Sequence, residues 1–228
     1  MNKEFAGRTY VVTGAARGIG LAVVKRLLNV GARVHACDID AISSNNMHTG
    51  LNFHLIDVRD EESVAKLFYS LKQSGEKING LVNNAAILDS TQFDELNSER
   101  IKEVLEINLG GTLNFTRYAV PLLEASVRSA IVNVASIQGI FGTRSSIPYS
   151  SSKGAIVNLT RSLAADLAPR GISVNAVAPG FIETRMSKLP DGSSEYAIED
   201  FKDVYLYAHE QGLKGCTTFR FNPEAFQG

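Results

Sequence analysis

Short β-type runs alternate with stretches of helical periodicity along most of the chain. Residues 9–13 (TYVVT) are β-branched and aromatic, which is typical of a buried strand, whereas residues 20–30 carry apolar side chains at helical spacing. Further strands are predicted at 32–37, 52–58, 80–86, 130–136 and 172–180, and further helices at 62–73, 98–124 and 149–168. Strands that alternate with helices form a parallel sheet. We therefore predict an α/β fold, a doubly wound parallel sheet with helices on both faces.

Composition narrows the function classes. The chain has 228 residues, of which 44% are hydrophobic and 21% charged, as in an ordinary soluble globular protein. Its net charge of −1 gives no electrostatic reason to expect binding to nucleic acid or to anionic membranes. The first residues lack the apolar core of a signal peptide, and no apolar run approaches the ~20 residues that span a bilayer. We expect a cytoplasmic protein without nucleic-acid or membrane partners.

Three glycines lie between the first strand and the first helix, in the segment TGAARGIG. A turn that approaches a pyrophosphate closely needs residues without a Cβ atom. The helix that follows offers unpaired N–H groups and the positive end of its dipole to the phosphates. The spacing is GxxxGxG rather than the commoner GxGxxG. The turn predicts a dinucleotide site at Gly14, Arg17, Gly18, Ile19 and Gly20.

Asp38 follows the second strand, at the distance from the glycine turn where dinucleotide-binding proteins place an acid. A carboxylate there can accept hydrogen bonds from the adenosine ribose and would repel a 2′-phosphate, so we expect NAD as the cofactor. Arg17 argues the other way, because a cation in the glycine turn could assist a phosphate, and NADP stays possible. Asp38 could also be a plain loop acid beside Asp40.

Candidate chemistry lies in the segment SIQGIFGTRSSIPYSSSK, which contains Ser136, Tyr149 and Lys153. Tyr149 and Lys153 are four residues apart on a predicted helix, so they share a face. A free tyrosine titrates near pH 10, and a general acid/base at neutral pH would need that pKa lowered by about 3, or about 4 kcal/mol. A lysine ammonium one turn away and a positively charged cofactor ring can supply much of this.

In order and spacing, these motifs resemble the short-chain dehydrogenase/reductase family in its single-domain form. The resemblance covers about residues 5–188 and implies a Rossmann-type fold and an enzyme that acts on CH–OH groups. NNAA stands at 83–86 where the family usually has NNAG, and we expect the extra methyl group of Ala86 to be tolerated. The motifs that carry the likeness are TGAARGIG, NNAA, Asn108, Ser136, Tyr149 with Lys153, and PGFIET at 179–184.

The resemblance implies a role for each matching residue. Tyr149 would donate or accept the substrate proton, while Lys153 would lower the pKa of Tyr149 and hold the nicotinamide ribose. Ser136 would hydrogen-bond the substrate oxygen, and Asn108 would anchor a water that continues the proton relay. Gln138, which follows Ser136 closely, should line the substrate pocket. The other implied cofactor contacts are Asp57 and Val58 at the adenine, Asn84 at the ribose, and Pro179, Gly180, Ile182 and Thr184 over the nicotinamide amide.

The likeness ends near residue 188. We divide the chain into a dinucleotide-binding catalytic domain at 1–188 and an atypical C-terminal tail at 189–228, which resembles the end of a cobalamin-dependent ribonucleotide reductase chain. Apolar positions predict a tail helix at about 198–211, and CTTFRF at 216–221 predicts a short strand. We expect these two elements to take the place of the family's last helix and strand, beside the sixth strand.

Three functions remain open at this point. The first is an NAD-dependent oxidoreductase that transfers a hydride between nicotinamide and an alcohol or ketone. The second is a dinucleotide-binding protein with little turnover, because the tail replaces the family's substrate lid and last strand. The third is an epimerase or dehydratase with tightly held NAD. We expect a small-molecule substrate, no metal, and a homo-oligomer, a dimer through the helices at 98–124 and 149–168.

Overall fold

The computed structural model describes residues 4–43, 45, 48–144, 146–180, 182 and 186. Within them the predicted alternation of strands and helices is confirmed. The strands are β1 (Thr9–Thr13), β2 (Arg33–Asp38), β3 (Leu51–Leu55), β4 (Gly80–Asn83), β5 (Ser129–Val134) and β6 (Ile172–Val177). The α-helices are α1 (Gly18–Asn29), α2 (Glu61–Gln73), α3 (Ser98–Leu105), α4 (Gly111–Glu124) and α5 (Ile147–Leu167).

All six strands join one parallel sheet in the order β3-β2-β1-β4-β5-β6. Val11 of β1 lies between His35 of β2 and Leu81 of β4, which sets the register at the centre. The chain runs outward in one direction from β1 to β3 and in the other from β4 to β6. Parallel sheets of this kind bind ligands in the crevice at the carboxyl ends of the strands, where the order reverses.

Apolar side chains are buried on both faces of the sheet, as the prediction requires. Val12 belongs to a core cluster with Val24 and Leu28 of α1. The neighbouring Val11 points to the other face, into a larger cluster with Phe68 of α2 and Phe115 of α4. Successive residues of a strand alternate between faces, so a continuous apolar strand is what a sheet covered on both sides needs.

The helix predicted at 98–124 is interrupted. A five-residue π-helical segment, Glu106–Gly110, lies between α3 and α4 and contains Asn108. Such segments occur mostly as single turns inside α-helices and frequently at functional sites. The apolar periodicity on either side is helical in both cases, so periodicity could not locate the interruption.

Several strands end earlier than predicted. β3 ends at Leu55, β4 at Asn83 and β6 at Val177, each leaving its last predicted residues outside the sheet. Those residues turn into loops at the carboxyl edge, where a ligand crevice is expected. The predicted tail elements at 189–228 lie outside the described residues and stay predictions. Over the part of the chain that the structure describes, no helix is long and apolar enough to cross a membrane.

Candidate active site

The glycine turn leaves β1 at the carboxyl edge of the sheet. Gly14 has a φ of +61°, in the left-handed region that glycine favours, and a Cβ atom there would lie 2.8 Å from the Cα atom of Ala85. Gly20, in the first turn of α1, packs so closely that a Cβ atom would collide with the carbonyl oxygen of Gly14. The turn therefore needs glycine at both positions to fold back against its own helix.

The start of α1 is left open to an anion. Arg17, which precedes the helix, makes no side-chain capping bond, and the first turn contains no acidic residue. The positive end of the helix dipole is therefore not neutralised by the helix's own side chains. Arg17, Gly18 and Ile19 line the large cleft at this edge of the sheet. An anionic group that enters the cleft here would meet backbone N–H groups.

Asn84 holds the glycine turn to the end of β4. Its side-chain amide donates 3.0 Å hydrogen bonds to the carbonyl oxygens of Thr13 and Gly14. The Thr13 hydroxyl accepts in return from the backbone N–H groups of Asn84 and Ala85, each at 3.0 Å. Asn84 also lines the cleft, but its amide nitrogen is engaged with the backbone. This amide fixes the position of the turn relative to its neighbouring strand.

Asp38 ends β2 and is nearly buried, with 9% of its surface exposed. One carboxylate oxygen accepts from the N–H of Ala16 at 2.8 Å, and the other from the N–H of Asp40 at 3.0 Å. Asp38 thus ties the glycine turn to the loop after β2 while it lines the cleft. An acid is expected at this place from the sequence, but its bonds to the backbone are not.

The charged side chains around Asp38 are paired. Arg17, the residue that argued for NADP, forms an ion pair with Asp40. On the loop after β3, Arg59 binds the Asp57 carboxylate through two nitrogens, the shorter contact being 2.6 Å. Hydrogen bonds from Arg59 hold the pKa of Asp57 below its usual range. Both Asp40 and Arg59 line the cleft, and neither was among the predicted site residues.

Helix α5 brings Tyr149 and Lys153 to the cleft on one face. Pro148 lies in the first turn, where its missing N–H costs no helical bond. The amino nitrogen of Lys153 lies 5.8 Å from the centre of the Tyr149 ring and donates a 2.7 Å hydrogen bond to the carbonyl oxygen of Val134. Burial lowers the pKa of Lys153 to about 8. Tyr149 and Lys153 are 9% and 3% exposed, so both lie at the base of the cleft.

Ser136 lies just beyond the end of β5 and also lines the cleft. Its hydroxyl oxygen accepts from the backbone N–H of Gln138 at 3.2 Å. Accepting that bond does not use the hydroxyl hydrogen, so Ser136 can still donate to a substrate oxygen. The N–H of Ile137 donates to the carbonyl oxygen of Pro179 at 3.0 Å, which joins the loops after β5 and β6. These bonds bring Ser136, Gln138 and Pro179 to one side of the cleft.

Asn108 lies behind the cleft and is 1% exposed. Its side-chain oxygen accepts from the N–H of Ile87 at 2.8 Å, and its nitrogen donates to the carbonyl of Ile87 at 3.0 Å and to the Ser152 hydroxyl at 2.9 Å. Ser152 in turn donates to the carbonyl oxygen of Tyr149 at 2.7 Å. Asn108 therefore joins the loop after β4 to the helix that carries Tyr149.

The cleft has a volume of about 550 Å³ and collects most of the predicted site residues. Gly20 and Asn108 are not among its lining residues, because both are engaged in the packing behind it. Thr184 lies outside the described residues. The apolar lining residues were not predicted, because nothing in the sequence distinguishes them from ordinary core residues. They are Ile39, Ile56, Ile87, Leu88, Ile107, Val134, Ile137 and Met186.

The shape of the cleft fits a dinucleotide. It extends from the glycine turn and Asp38 at one end to Tyr149 and Pro179 at the other, and the turn has no room for a Cβ atom at Gly14. An uncapped helix start suits phosphates, and a buried acid suits a ribose. Among the residues that the structure describes, no group of three or more His, Cys, Asp or Glu side chains could hold a metal ion.

Comparison with known proteins agrees with this geometry. The chain is 34% identical over 200 residues to the 3-oxoacyl-(acyl-carrier-protein) reductase FabG of Thermotoga maritima, an alignment that covers 84% of this chain and 81% of that protein. It is also 34% identical to the L-fucose dehydrogenase of Bos taurus over 188 residues, which cover 81% of this chain and 69% of that protein.

A solved structure has the same fold. The short chain dehydrogenase of Leptospira borgpetersenii with bound NAD⁺ superimposes with a TM-score of 0.76 at 27% identity, over 89% of this chain and 78% of that one. The family model described as short chain dehydrogenase matches residues 8–191. The chain therefore belongs to the short chain dehydrogenase family of NAD(P)-dependent oxidoreductases.

Proposed function

We propose that this protein is an NAD-dependent dehydrogenase that interconverts a secondary alcohol and a ketone. The observation that carries the proposal is that Ser136, Tyr149 and Lys153 line the same cleft as the glycine turn and Asp38. A bound nicotinamide would supply the chemistry of accepting or donating the hydride. The protein's own residues would orient the substrate and move one proton.

Tyr149 is proposed as the general acid/base. In the oxidation of an alcohol, its phenolate oxygen would take the hydroxyl proton, and in the reverse direction its hydroxyl would return it. Lys153 would favour the phenolate through its positive charge. An ammonium group has three N–H donors, and Val134 takes one of them. We propose that the other two serve a ribose hydroxyl of the cofactor and the Tyr149 oxygen.

Ser136 and Asn108 are proposed to position other groups of the active site. Ser136 would donate its hydroxyl hydrogen to the substrate oxygen, which keeps that oxygen within reach of Tyr149. The contacts of the Asn108 side chain support a positioning role, since they fix Ile87 and, through Ser152, the first turn of α5. We also propose that Asn108 anchors a water molecule that continues the proton relay.

The cofactor is proposed to be NAD, held by residues of the same cleft. Asp38 would accept from the adenosine ribose, the glycine turn would hold the pyrophosphate, and Asp57 and Val58 would border the adenine. Pairing with Asp40 supports NAD over NADP, because it reduces the charge that Arg17 can offer to a 2′-phosphate. Asn84 would border the ribose, and Pro179, Gly180, Ile182 and Thr184 would close over the nicotinamide amide.

A homodimer through the helices at 98–124 and 149–168 is part of the proposal. Three large apolar side chains on this part of the chain are partly exposed: Ile101 at 37%, Leu105 at 36% and Leu113 at 42%. Such side chains are usual at the core of subunit interfaces. Light scattering of the wild type and of Leu105→Glu tests it, with a dimer expected for the first and a weakened dimer for the second.

The test of function combines cofactor binding with turnover. The change in nicotinamide fluorescence on binding should give NADH a lower Kd than NADPH, and a screen of secondary alcohols should show NAD⁺ reduction with NADH released. Binding without reduction by any alcohol would favour a dinucleotide-binding protein with little turnover. Net conversion of a substrate without release of NADH would favour an epimerase or dehydratase.

A further inference from the structure

An ion pair with a buried carboxylate lies next to the cleft, at residues that the proposed chemistry does not use. Asp89 is 2% exposed, although it follows the cleft-lining residues Ile87 and Leu88 directly. The Arg100 side chain, on α3, reaches its carboxylate at 2.6 Å. Burial raises the pKa of Asp89, but hydrogen bonds from Arg100 and Thr91 outweigh it and hold that pKa below its usual range.

Arg100 contacts the loop after β4 at two points. Its Nε donates to the Asp89 carboxylate, and one terminal nitrogen donates to the carbonyl oxygen of Leu88 at 3.1 Å. The other terminal nitrogen pairs with Glu103 on the same helix at 2.6 Å. The planar guanidinium therefore fixes the backbone of Leu88 and the side chain of Asp89, two consecutive residues. Leu88 cannot move away from the cleft without breaking the bond to its carbonyl.

The same loop is tied to the start of α5. Ser146, which is 0% exposed, precedes α5 by one residue, where a serine ordinarily accepts from the helix backbone. Its hydroxyl instead donates to the carbonyl oxygen of Asp89 at 2.9 Å. Tyr149 lies three residues beyond Ser146, so this bond joins the Leu88 wall of the cleft to the turn that carries Tyr149.

We propose that Arg100, Asp89 and Ser146 are positioning residues that hold Leu88 in the wall opposite the reacting carbon, and that this clamp limits the size of secondary alcohol that the active site accepts. The inference rests on the proposed function, because it assumes that Tyr149 marks the substrate end of the cleft. The substrate class it favours is a compact secondary alcohol, with bulky ring systems excluded by Leu88.

Arg100→Lys is the informative variant. It keeps the positive charge beside buried Asp89, which would otherwise be left as an uncompensated buried carboxylate, but a single ammonium cannot reproduce the planar pair of bonds to Asp89 and Leu88. Ser146→Ala loosens the same wall from the other side. Arg117→Lys is the matched control, since Arg117 forms an exposed ion pair with Glu61 on another part of the surface.

Selectivity is measured as the ratio of kcat/KM for borneol to that for cyclohexanol. Arg100→Lys and Ser146→Ala should raise this ratio by about tenfold, the lower end of what a hydrophobic pocket discriminates by shape. The Kd for NADH should stay unchanged in both, and Arg117→Lys should match the wild type. Equal loss of activity on both alcohols, with the ratio within about twofold of wild type, would overturn the size limit.

Hydrogen exchange tests the clamp without turnover. The Thr91 N–H donates to the Asp89 carboxylate and the Ile87 N–H to Asn108, so both should be protected in the wild type. Exchange at Thr91 should quicken by about tenfold in Arg100→Lys and not in Arg117→Lys. Unchanged exchange at 87–91 would overturn the clamp itself. A wild type that reduces NAD⁺ with no alcohol of the screen would instead reject the proposed function, and the size limit with it.

Discussion

The amino group of Lys153 donates a 2.7 Å hydrogen bond to the carbonyl oxygen of Val134, at the end of β5. The bond places a lysine that is 3% exposed directly beneath the cleft, one helical turn from Tyr149. Removal from water disfavours the charged form, so burial lowers the pKa of Lys153 to about 8. The same burial that presents the amino group to the cleft makes its protonation sensitive to pH near neutrality.

We expect the free energy of unfolding of the cofactor-free protein to depend on pH through Lys153. The pKa of Lys153 is about 8 in the folded protein and 10.5 when solvated, so between these values the unfolded chain binds more protons. Stability contributed by Lys153 should therefore rise with pH, by about 2 kcal/mol between pH 7 and pH 9.5. Urea unfolding of wild type and Lys153→Met at both pH values measures the difference, and Lys25→Met, at an exposed position of α1, controls for replacing a lysine. A gap between wild type and Lys153→Met that stays constant with pH would contradict the prediction.

Tyr149→Phe should abolish most of the activity without weakening cofactor binding. The proposed proton transfer needs the hydroxyl group, so kcat should fall by about a hundredfold to ten-thousandfold while the Kd for NADH stays nearly intact. Tyr118→Phe is a suitable control because the Tyr118 hydroxyl binds Glu61 at an exposed position. A Tyr149→Phe enzyme that retained a tenth of wild-type kcat would reject the assignment of Tyr149 as the general acid/base.

Asp38→Ala should weaken NAD binding and relax discrimination against NADP. The loss of a charged hydrogen bond costs about 1.5–3 kcal/mol, and the variant also loses the bonds that hold Ala16 and Asp40. Asp40→Ala separates the two effects, since it frees Arg17 but keeps the Asp38 carboxylate and its backbone bonds. NADH and NADPH titrations of the three proteins make the comparison. A wild type that already binds NADPH more tightly would show that Arg17 outweighs Asp38.

Gly20→Ala should lower both stability and cofactor affinity. The new methyl group would collide with the carbonyl oxygen of Gly14 and push the glycine turn away from α1, and overpacking of this kind costs about 1–3 kcal/mol. Gly142→Ala is the matched control because a Cβ atom at Gly142 meets nothing within 4 Å. Thermal unfolding and NADH titration report the two effects. If Gly20→Ala behaves like Gly142→Ala in both, the turn is not held as tightly as the contacts indicate.

The sequence by itself determined the architecture and the order of the site. Strand and helix periodicities are local features of the sequence. Their regular alternation along the chain is typical of a parallel α/β sheet. Because parallel strands end at one edge, the segments after β1, β2, β4 and β5 had to converge there, which placed the glycine turn, Asp38, Asn84 and Ser136 in one region. The spacing of Tyr149 and Lys153 fixed their common face in the same way.

Tertiary structure alone decided the partners of these residues. The contacts of Asp38 with Ala16, of Asn108 with Ile87 and of Arg100 with Asp89 join residues 22, 21 and 11 positions apart. No local pattern specifies such pairs, since each depends on how two loops and a helix pack after the chain has folded. The π-helical segment at Asn108 and the ion pair of Arg17 with Asp40 are likewise not specified by a local pattern. Periodicity specifies which face a side chain occupies, but hydrogen bonds between distant segments are fixed by the geometry of the packed loops.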